Sequence, residues 1–370
     1  MKPRESLPDP ALVAGLLANV LPFVLFRRPL PDLSAEPFDN IWIAEFTAAI
    51  VDGAPLTVAP DPWFRYVPQV LALRVASLFG PVGLTDALVA NAAYTILCEA
   101  VLTSLALYWL VSTVYARREA VTALFVSALF HLAVVPGGPL VGLDMYTLVW
   151  YYTHHWQYAF AMPWILAAFT AVVRATRARP GSVVAGFGRR VDRRRFYLGV
   201  AGVTLGIAGS IQLVQAGIAA YVIALALLRG RAWKSLGTVA GVSMLVALPN
   251  AVVWAQYPGR WVSQGVDKSA AGARSLPPEA IAGVVLLAAA ALALAATRPS
   301  AADADDGRRL VRSWTAVSVG LVLVLSALGA VWYNYHAIYS LKYVVLAWAA
   351  ITVASAADES LASAVPLPEA

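Results

Sequence analysis

LTDALVANAAYTILCEAVLTSLALYWLVSTV, Leu84–Val114, contains only two charged residues, Asp86 and Glu99. Such a run is long enough to cross a hydrocarbon layer of about 30 Å as a helix, which needs roughly 20 apolar residues. It closes on Arg117 and Arg118, as a span does where it meets water. The same reading repeats along the chain. Apolar runs over 10–26, 120–135, 156–173, 196–211, 213–228, 235–254, 280–297, 314–333 and 341–357 bring the total to about ten expected spans. Gln212 and Gln215 leave open whether 196–228 is two helices or one longer tilted helix. The chain is 60% hydrophobic and 13% charged, with a mean hydropathy of +0.70. A soluble domain carries about 25% charged residues. The expected class is therefore an all-α, polytopic transmembrane protein forming a single membrane domain over residues 1–370. The ten-residue alternation of an outer-membrane barrel is absent.

Arginine placement sets the expected orientation. Residues 174–195 carry Arg174, Arg177, Arg179, Arg189, Arg190, Arg193, Arg194 and Arg195 against one carboxylate, Asp192, and so form a basic cytoplasmic loop. Counting spans from it puts Arg117, Arg118, Arg229, Arg231, Lys234, Arg298, Arg308, Arg309 and Arg312 on the same side. Both termini fall there as well, giving a multi-pass protein of the cell membrane. The net charge of +6 then reports topology and gives no reason to expect nucleic acid as a partner. The single Cys98 lies within an apolar run, so neither a disulfide framework nor a cysteine metal site is expected. Arg27 and Arg28 follow the first run where a signal peptidase would need small residues, so that run reads as a retained helix.

Residues 27–83 make by far the longest outer loop, and a loop of that length is usually functional. Within it, FDNIWIAEFTAAIVDGAPLTVAPDPWFRYVPQ (Phe38–Gln69) gathers Asp39, Glu45, Asp52, Asp61 and Arg65 among aromatic residues. Phe38, Ile41, Trp42, Glu45, Phe46, Ala49 and Ile50 fall near helical spacing, which predicts an amphipathic helix at the membrane surface, stopped by Asp52–Pro55. Residues 67–79, short and containing Arg74, predict a second surface helix that does not cross.

These features together resemble the GT-C class of integral-membrane glycosyltransferases. The order is a first helix, an early acidic residue, a surface helix ending at Gly53 and Pro55, and a Pro-x-x-x-Tyr-x-Pro stretch (Pro62–Pro68). A second surface helix ending in Leu78–Phe79–Gly80 follows, and then a long span ending in YARREA (Tyr115–Ala120). Near the other end, YSLKYVVLAWAAITVA (Tyr339–Ala354) has the family's basic-Tyr pair, Lys342–Tyr343, ahead of a helix. Asn40 stands where many members have a second carboxylate. The resemblance implies inverting transfer of a sugar from a polyprenyl-phosphate donor to a glycan, lipid or protein acceptor at the outer face.

Such a reaction needs a carboxylate to take the acceptor proton and cationic or hydrogen-bonding groups for the leaving phosphate. Asp39 is the candidate base; its other reading is an N-cap of the surface helix. Arg65, His336, Lys342 and Tyr343 are candidate donor-phosphate contacts, against the alternative that basic side chains at helix ends snorkel to headgroups. Asp61, in a Pro-bracketed turn, is a candidate for a sugar hydroxyl or a divalent cation, or simply a turn former. His154 and His155 sit in WYYTHHWQY (Trp150–Tyr158), which suits either an interfacial aromatic belt or stacking on the donor sugar. As neighbours they diverge on a helix and cannot easily share a metal. Glu99 carries the competing reading. A carboxylate that deep must be protonated or paired, with His131 or Gln212 as polar neighbours. A proton-coupled transporter, or a non-catalytic lipid-binding protein, would use it. No internal repeat of the transporter type is evident, and the polar load is concentrated in one outer loop.

Overall fold

The computed structural model describes residues 9–26, 38–55, 66–134, 156–186, 189–256, 306–327 and 340–354. Its helices are α1 (Pro10–Phe26), α2 (Phe38–Val51), α3 (Val67–Ala76), α4 (Leu84–Ile96), α5 (Ser104–Val114), α6 (Arg117–Val134), α7 (Trp156–Thr176), α8 (Arg193–Ile211), α9 (Leu213–Arg229), α10 (Trp233–Gln256), α11 (Asp306–Ala327) and α12 (Ser340–Ala354). A two-stranded antiparallel hairpin, β1 (Val183–Gly186) with β2 (Arg189–Asp192), joins α7 to α8, with Val183 opposite Asp192.

Among the described residues, three helices are long and apolar enough to cross a membrane: Leu84–Val114, Ala159–Thr176 and Trp233–Val252. Pro10–Pro22, Leu213–Arg229 and Ser340–Ala354 are apolar but shorter. The expected span at 280–297 lies outside the described residues. Leu17, Leu129, Met244 and Leu245 are exposed on helix flanks, as side chains facing lipid would be. Helix α3 is 10 residues long, about 15 Å at 1.5 Å per residue, too short to cross.

Leu84–Val114 is one continuous helical rod whose middle, Leu97–Thr103, is a π-helix. There the Thr103 hydroxyl donates to the carbonyl of Cys98, 2.7 Å away and five residues back. Single π turns are rare and often mark functional positions.

The question over 196–228 resolves into two helices broken at Gln212, which is extended (φ −148°, ψ 98°). Its side-chain oxygen accepts from the Val214 amide at 3.1 Å and so caps α9. A Cβ built on Gly209 would lie 3.7 Å from that of Ala216, so the chain doubles back. Asn250 of α10 donates to the Ser210 carbonyl at 2.7 Å, satisfying an acceptor that the break leaves without a helical partner.

Small residues set the closest helix approaches. A Cβ on Gly202 would meet Val242 at 2.6 Å, and one on Gly206 would meet the Ser243 carbonyl oxygen at 2.7 Å. Glycines four apart thus let α8 lie directly on α10, the packing that helices in lipid favour. Gly15 does the same for α1 against Leu124 of α6. Asn19 donates there to the carbonyls of both Gly15 and Leu124, each at 2.8 Å.

Tertiary contacts sort the helix ends. Asp9, before α1, accepts from Arg117 at the start of α6 (2.7 and 2.8 Å). Arg177, beyond α7, donates to carbonyls at the end of α5. Arg194 of α8 meets Ser235 of α10 at 3.0 Å, and Arg229 of α9 meets Ser313 of α11 at 3.3 Å. The arginine-bearing termini therefore collect at one end of the bundle. Helices α2 and α3 pack with α4 toward the other end.

Candidate functional site

Helix α2 carries the candidate base of the sequence reading. Asp39 occupies its first turn; the side chain of Asp39 lies outside the described residues. Below it, Arg74 of α3 donates to the Ile50 carbonyl at 3.0 Å, tying α3 to the end of α2. Phe46 packs edge-on against Tyr66, with centroids 6.3 Å apart. Gly53 then takes φ +107°, a backbone region that favours glycine, where the chain leaves α2.

Along the first half of the long rod, Asn91, Thr95 and Glu99 are all buried at spacings of four. Thr95 donates to the Asn91 carbonyl at 2.8 Å. Gln69 of α3 and Asn91 of α4 each lie about two turns from the α3–α4 connection. Both are fully buried, and neither side-chain amide has a hydrogen-bond partner among the described residues.

Glu99 anchors the densest polar cluster. Its Oε1 is in direct contact with the Lys342 ammonium. Tyr343 donates to the same oxygen at 3.4 Å, and His131 Nε2 lies 3.6 Å from it. The Lys342 ammonium also sits 5.4 Å from the Phe130 ring centre and 5.0 Å from that of Tyr343, both within cation–π range. Glu99, His131, Lys342 and Tyr343 are all at most 2% exposed. Three helices bring them level. From Val114 back to Glu99, and from Arg117 up to His131, is about 21–22 Å along antiparallel helices; from Ala354 back to Lys342 is about 18 Å. Two charges withdrawn from water are tolerable only when they meet in this way.

Lys342 is therefore not a free outer-face cation; its counter-ion is Glu99. Of the sequence-predicted site residues, the fold brings Lys342 and Tyr343 together, and joins to them Glu99 and His131. Gln212, the other neighbour considered for Glu99, serves instead as the cap of α9. Asp61, Arg65, His154, His155 and His336 lie outside the described residues. Among the described residues, no group of three His, Cys, Asp or Glu side chains is placed to hold a metal. The polar stripe Asn91–Thr95–Glu99 went unread in the sequence, although its regular spacing was present in LTDALVANAAYTILCEA.

A bundle of apolar helices with an ion pair buried at mid-rod defines a helical membrane protein. No protein-family model and no curated protein matches the chain. Solved structures of the oligosaccharyltransferase of Archaeoglobus fulgidus share its fold. One, in complex with Zn and sulfate, has a TM-score of 0.52 at 16% identity, covering 97% of this chain and 52% of that one. A second, tethered with an acceptor peptide containing the NVT sequon via a disulfide bond, gives 0.53 at 15%, over 92% and 49%. A third, AglB in complex with an inhibitory peptide and a dolichol-phosphate, gives 0.52 at 14%, over 97% and 52%. The chain spans about half the length of these structures, and at such identity the likeness is one of fold. It agrees at that level with the GT-C resemblance of the sequence.

Proposed function

We propose that the chain is a GT-C-type membrane glycosyltransferase. In this reading it moves a sugar, with inversion, from a polyprenyl-phosphate donor to a glycan, lipid or protein acceptor at the outer face. The observation that carries it is the fold likeness to an archaeal oligosaccharyltransferase over 97% of the chain. One of those structures holds a dolichol-phosphate, the chemical class of donor proposed here.

In this reading about ten spans cross the membrane, both termini are cytoplasmic, and residues 27–83 form the outer loop. The exposure of Leu71, Val75, Leu78 and Phe79 (88% for Phe79) supports an α3 lying with an apolar edge in lipid. Asp39 takes the acceptor proton as the acceptor oxygen attacks the anomeric carbon and the bond to the donor phosphate breaks. Arg65 and His336 stabilise the departing phosphate, and Lys342 and Tyr343 enter donor binding through their shared contact with Glu99. Asp61, His154 and His155 contact the sugar, and Asp61 is the residue to test for a divalent cation. The uncommitted amides of Gln69 and Asn91 suit hydroxyl groups, since each amide offers both a donor and an acceptor.

The test is transfer of radiolabelled sugar from polyprenyl-phosphate donors in membranes carrying the chain. Wild type should label an acceptor pool, and Asp39→Asn should lose on the order of 10²-fold or more, the usual contribution of a positioned base. Full activity in Asp39→Asn would remove that residue from its role. Absence of transfer by wild type would remove the enzyme reading.

Glu99 beside His131 favours one second reading, proton-coupled transport. Proton-dependent solute uptake in proteoliposomes, lost on Glu99→Gln, would establish it.

A further inference from the structure

At the basic end of the bundle, a cavity of about 560 Å³ is lined by Arg174, Arg177, Ala178, Arg179, Ser182, Arg193 and Tyr197. Four guanidinium groups from three segments converge there. Arg174 belongs to the last turn of α7, Arg177 and Arg179 to the turn that follows, and Arg193 to the first turn of α8.

The local construction explains why they meet. The Arg193 amide donates to the Ser182 carbonyl at 2.8 Å, closing the base of the β1–β2 hairpin and bringing the start of α8 back beside the end of α7. The Ser182 hydroxyl donates to the Arg179 carbonyl at 2.6 Å, which shapes the turn. Tyr197 stands between two cations: Arg174 lies 5.9 Å and Arg193 5.8 Å from its ring centre. Arg177 is partly committed, since its guanidinium donates to the carbonyls of Thr113 and Val114.

Like charges held this close repel, and among the described residues no carboxylate lines the cavity to offset them. The one acidic residue of the hairpin, Asp192, is occupied as the cap of α8, accepting from the Arg195 amide at 2.9 Å. A general arginine excess would satisfy the orientation rule with side chains spread over the surface. Here they are instead gathered around one concave space, with a hydroxyl and a phenol among them. Guanidinium forks match phosphate oxygens in pairs. The level is also that of a membrane surface, because Arg174 ends a helix apolar enough to span. Basic pockets between helices on the cytoplasmic side are built to take lipid phosphates.

We propose that this cavity is a phosphate-binding site on the cytoplasmic face, filled by the headgroup phosphate of an anionic inner-leaflet lipid or by a soluble phosphate. Either source uses the same recognition: the forks of Arg174 and Arg193 on the phosphate oxygens, with Arg179 as a third charge. The site is separate from the proposed donor site, which lies at the opposite end of the bundle.

The test uses the purified full chain in a neutral detergent. One arm measures retained phosphatidylglycerol against phosphatidylcholine by native mass spectrometry. The other measures the thermal midpoint with inorganic phosphate against sodium chloride at equal ionic strength. The variants are the cavity pair Arg174→Gln with Arg193→Gln, and a control pair, Arg190→Gln with Arg195→Gln, which removes the same charge outside the cavity. Replacement of Arg174 and Arg193 by lysine keeps the charge and removes the forks.

Selective retention of phosphatidylglycerol should fall about tenfold or more in the cavity pair, the loss of at least one charge-assisted hydrogen bond. It should change little in the control pair and fall partway in the lysine pair. A phosphate-dependent rise in midpoint that the cavity pair alone abolishes, without lipid selectivity, would identify the source as soluble phosphate. Equal losses in the cavity and control pairs would overturn the proposal, because they would mean diffuse surface charge. So would the absence of both lipid selectivity and a phosphate effect in wild type.

Discussion

Glu99 and Lys342 are 243 residues apart in sequence and touch inside the bundle. Removing one member of such a pair strands the other charge in an apolar interior, at a cost of about 3–5 kcal/mol, while replacing both by neutral groups of similar size is often harmless. Lys342→Met and Glu99→Gln should therefore each lower the thermal midpoint in detergent sharply, and the double variant should recover most of the loss. A double variant no better than the singles would mean that His131 and Tyr343, rather than the ion pair, hold the cluster together. The sequence shows why a partner is required and cannot show which, because a buried carboxylate constrains only its surroundings and not their position in the chain. The same limit applies to Asp39: the helix that carries it is legible from residue spacing, but what faces it depends on contacts remote in sequence.

A second pair lies in water. Asp9 is covered by the Arg117 guanidinium, whose hydrogen bond holds its carboxyl below the ordinary value, helped by the Ala11 amide against some desolvation. A carboxylate depressed in the folded state contributes stability above its unfolded value, lost as the pH falls through its folded one. The midpoint difference between wild type and Asp9→Asn should thus be present at neutral pH and shrink below about pH 4. A gap that is constant down to pH 3 would show that Asp9 acts through the α1 cap without the ion pair.

At the scale of elements, apolar runs locate most helices within a few residues, because in a membrane burial and helicity are demanded by the same solvent. How helices pair is written in smaller residues. Gly202 and Gly206 stand four apart in GVTLG, and the space they leave is filled by α10. Alanine at Gly206 would meet a backbone oxygen, which cannot rotate away. It should cost about 1–3 kcal/mol, the range for overpacking. Alanine at Gly217, which meets nothing within 4 Å, should be neutral or stabilising by the helix propensity it gains. Unfolding midpoints of the two variants check the contrast, and equal effects would mean that α8 and α10 do not depend on this contact. The break at Gln212 was ambiguous in the sequence for a related reason: a polar residue in an apolar run can cap a new helix or line an old one.

The whole molecule is polarised. Arginines cluster at one end, while α2, α3 and the polar stripe occupy the other. If that axis lies across the membrane as the charges direct, a membrane-impermeant maleimide on intact cells should label Gly80→Cys and leave Arg190→Cys unlabelled until the membrane is opened. The natural Cys98 is buried and gives a silent background. The inverse pattern would reverse the orientation and move the proposed donor site to the cytoplasm.

The π segment at Leu97–Thr103 gives this rod a property of timing. In a regular helix, residues taken every four positions creep around the axis by about 40° per step. The wide turn absorbs that creep, so Asn91 and Thr95 before it, Glu99 and Thr103 within it and Leu107 after it all remain on the inner side. The rod thus behaves like two gears meshed through one extra tooth. A single-residue deletion just after them, between Ser104 and Leu107, would leave hydropathy almost untouched and yet swing Asn91, Thr95 and Glu99 by about 100° toward lipid. Variation in length along this span is accordingly far less free than variation in side chain.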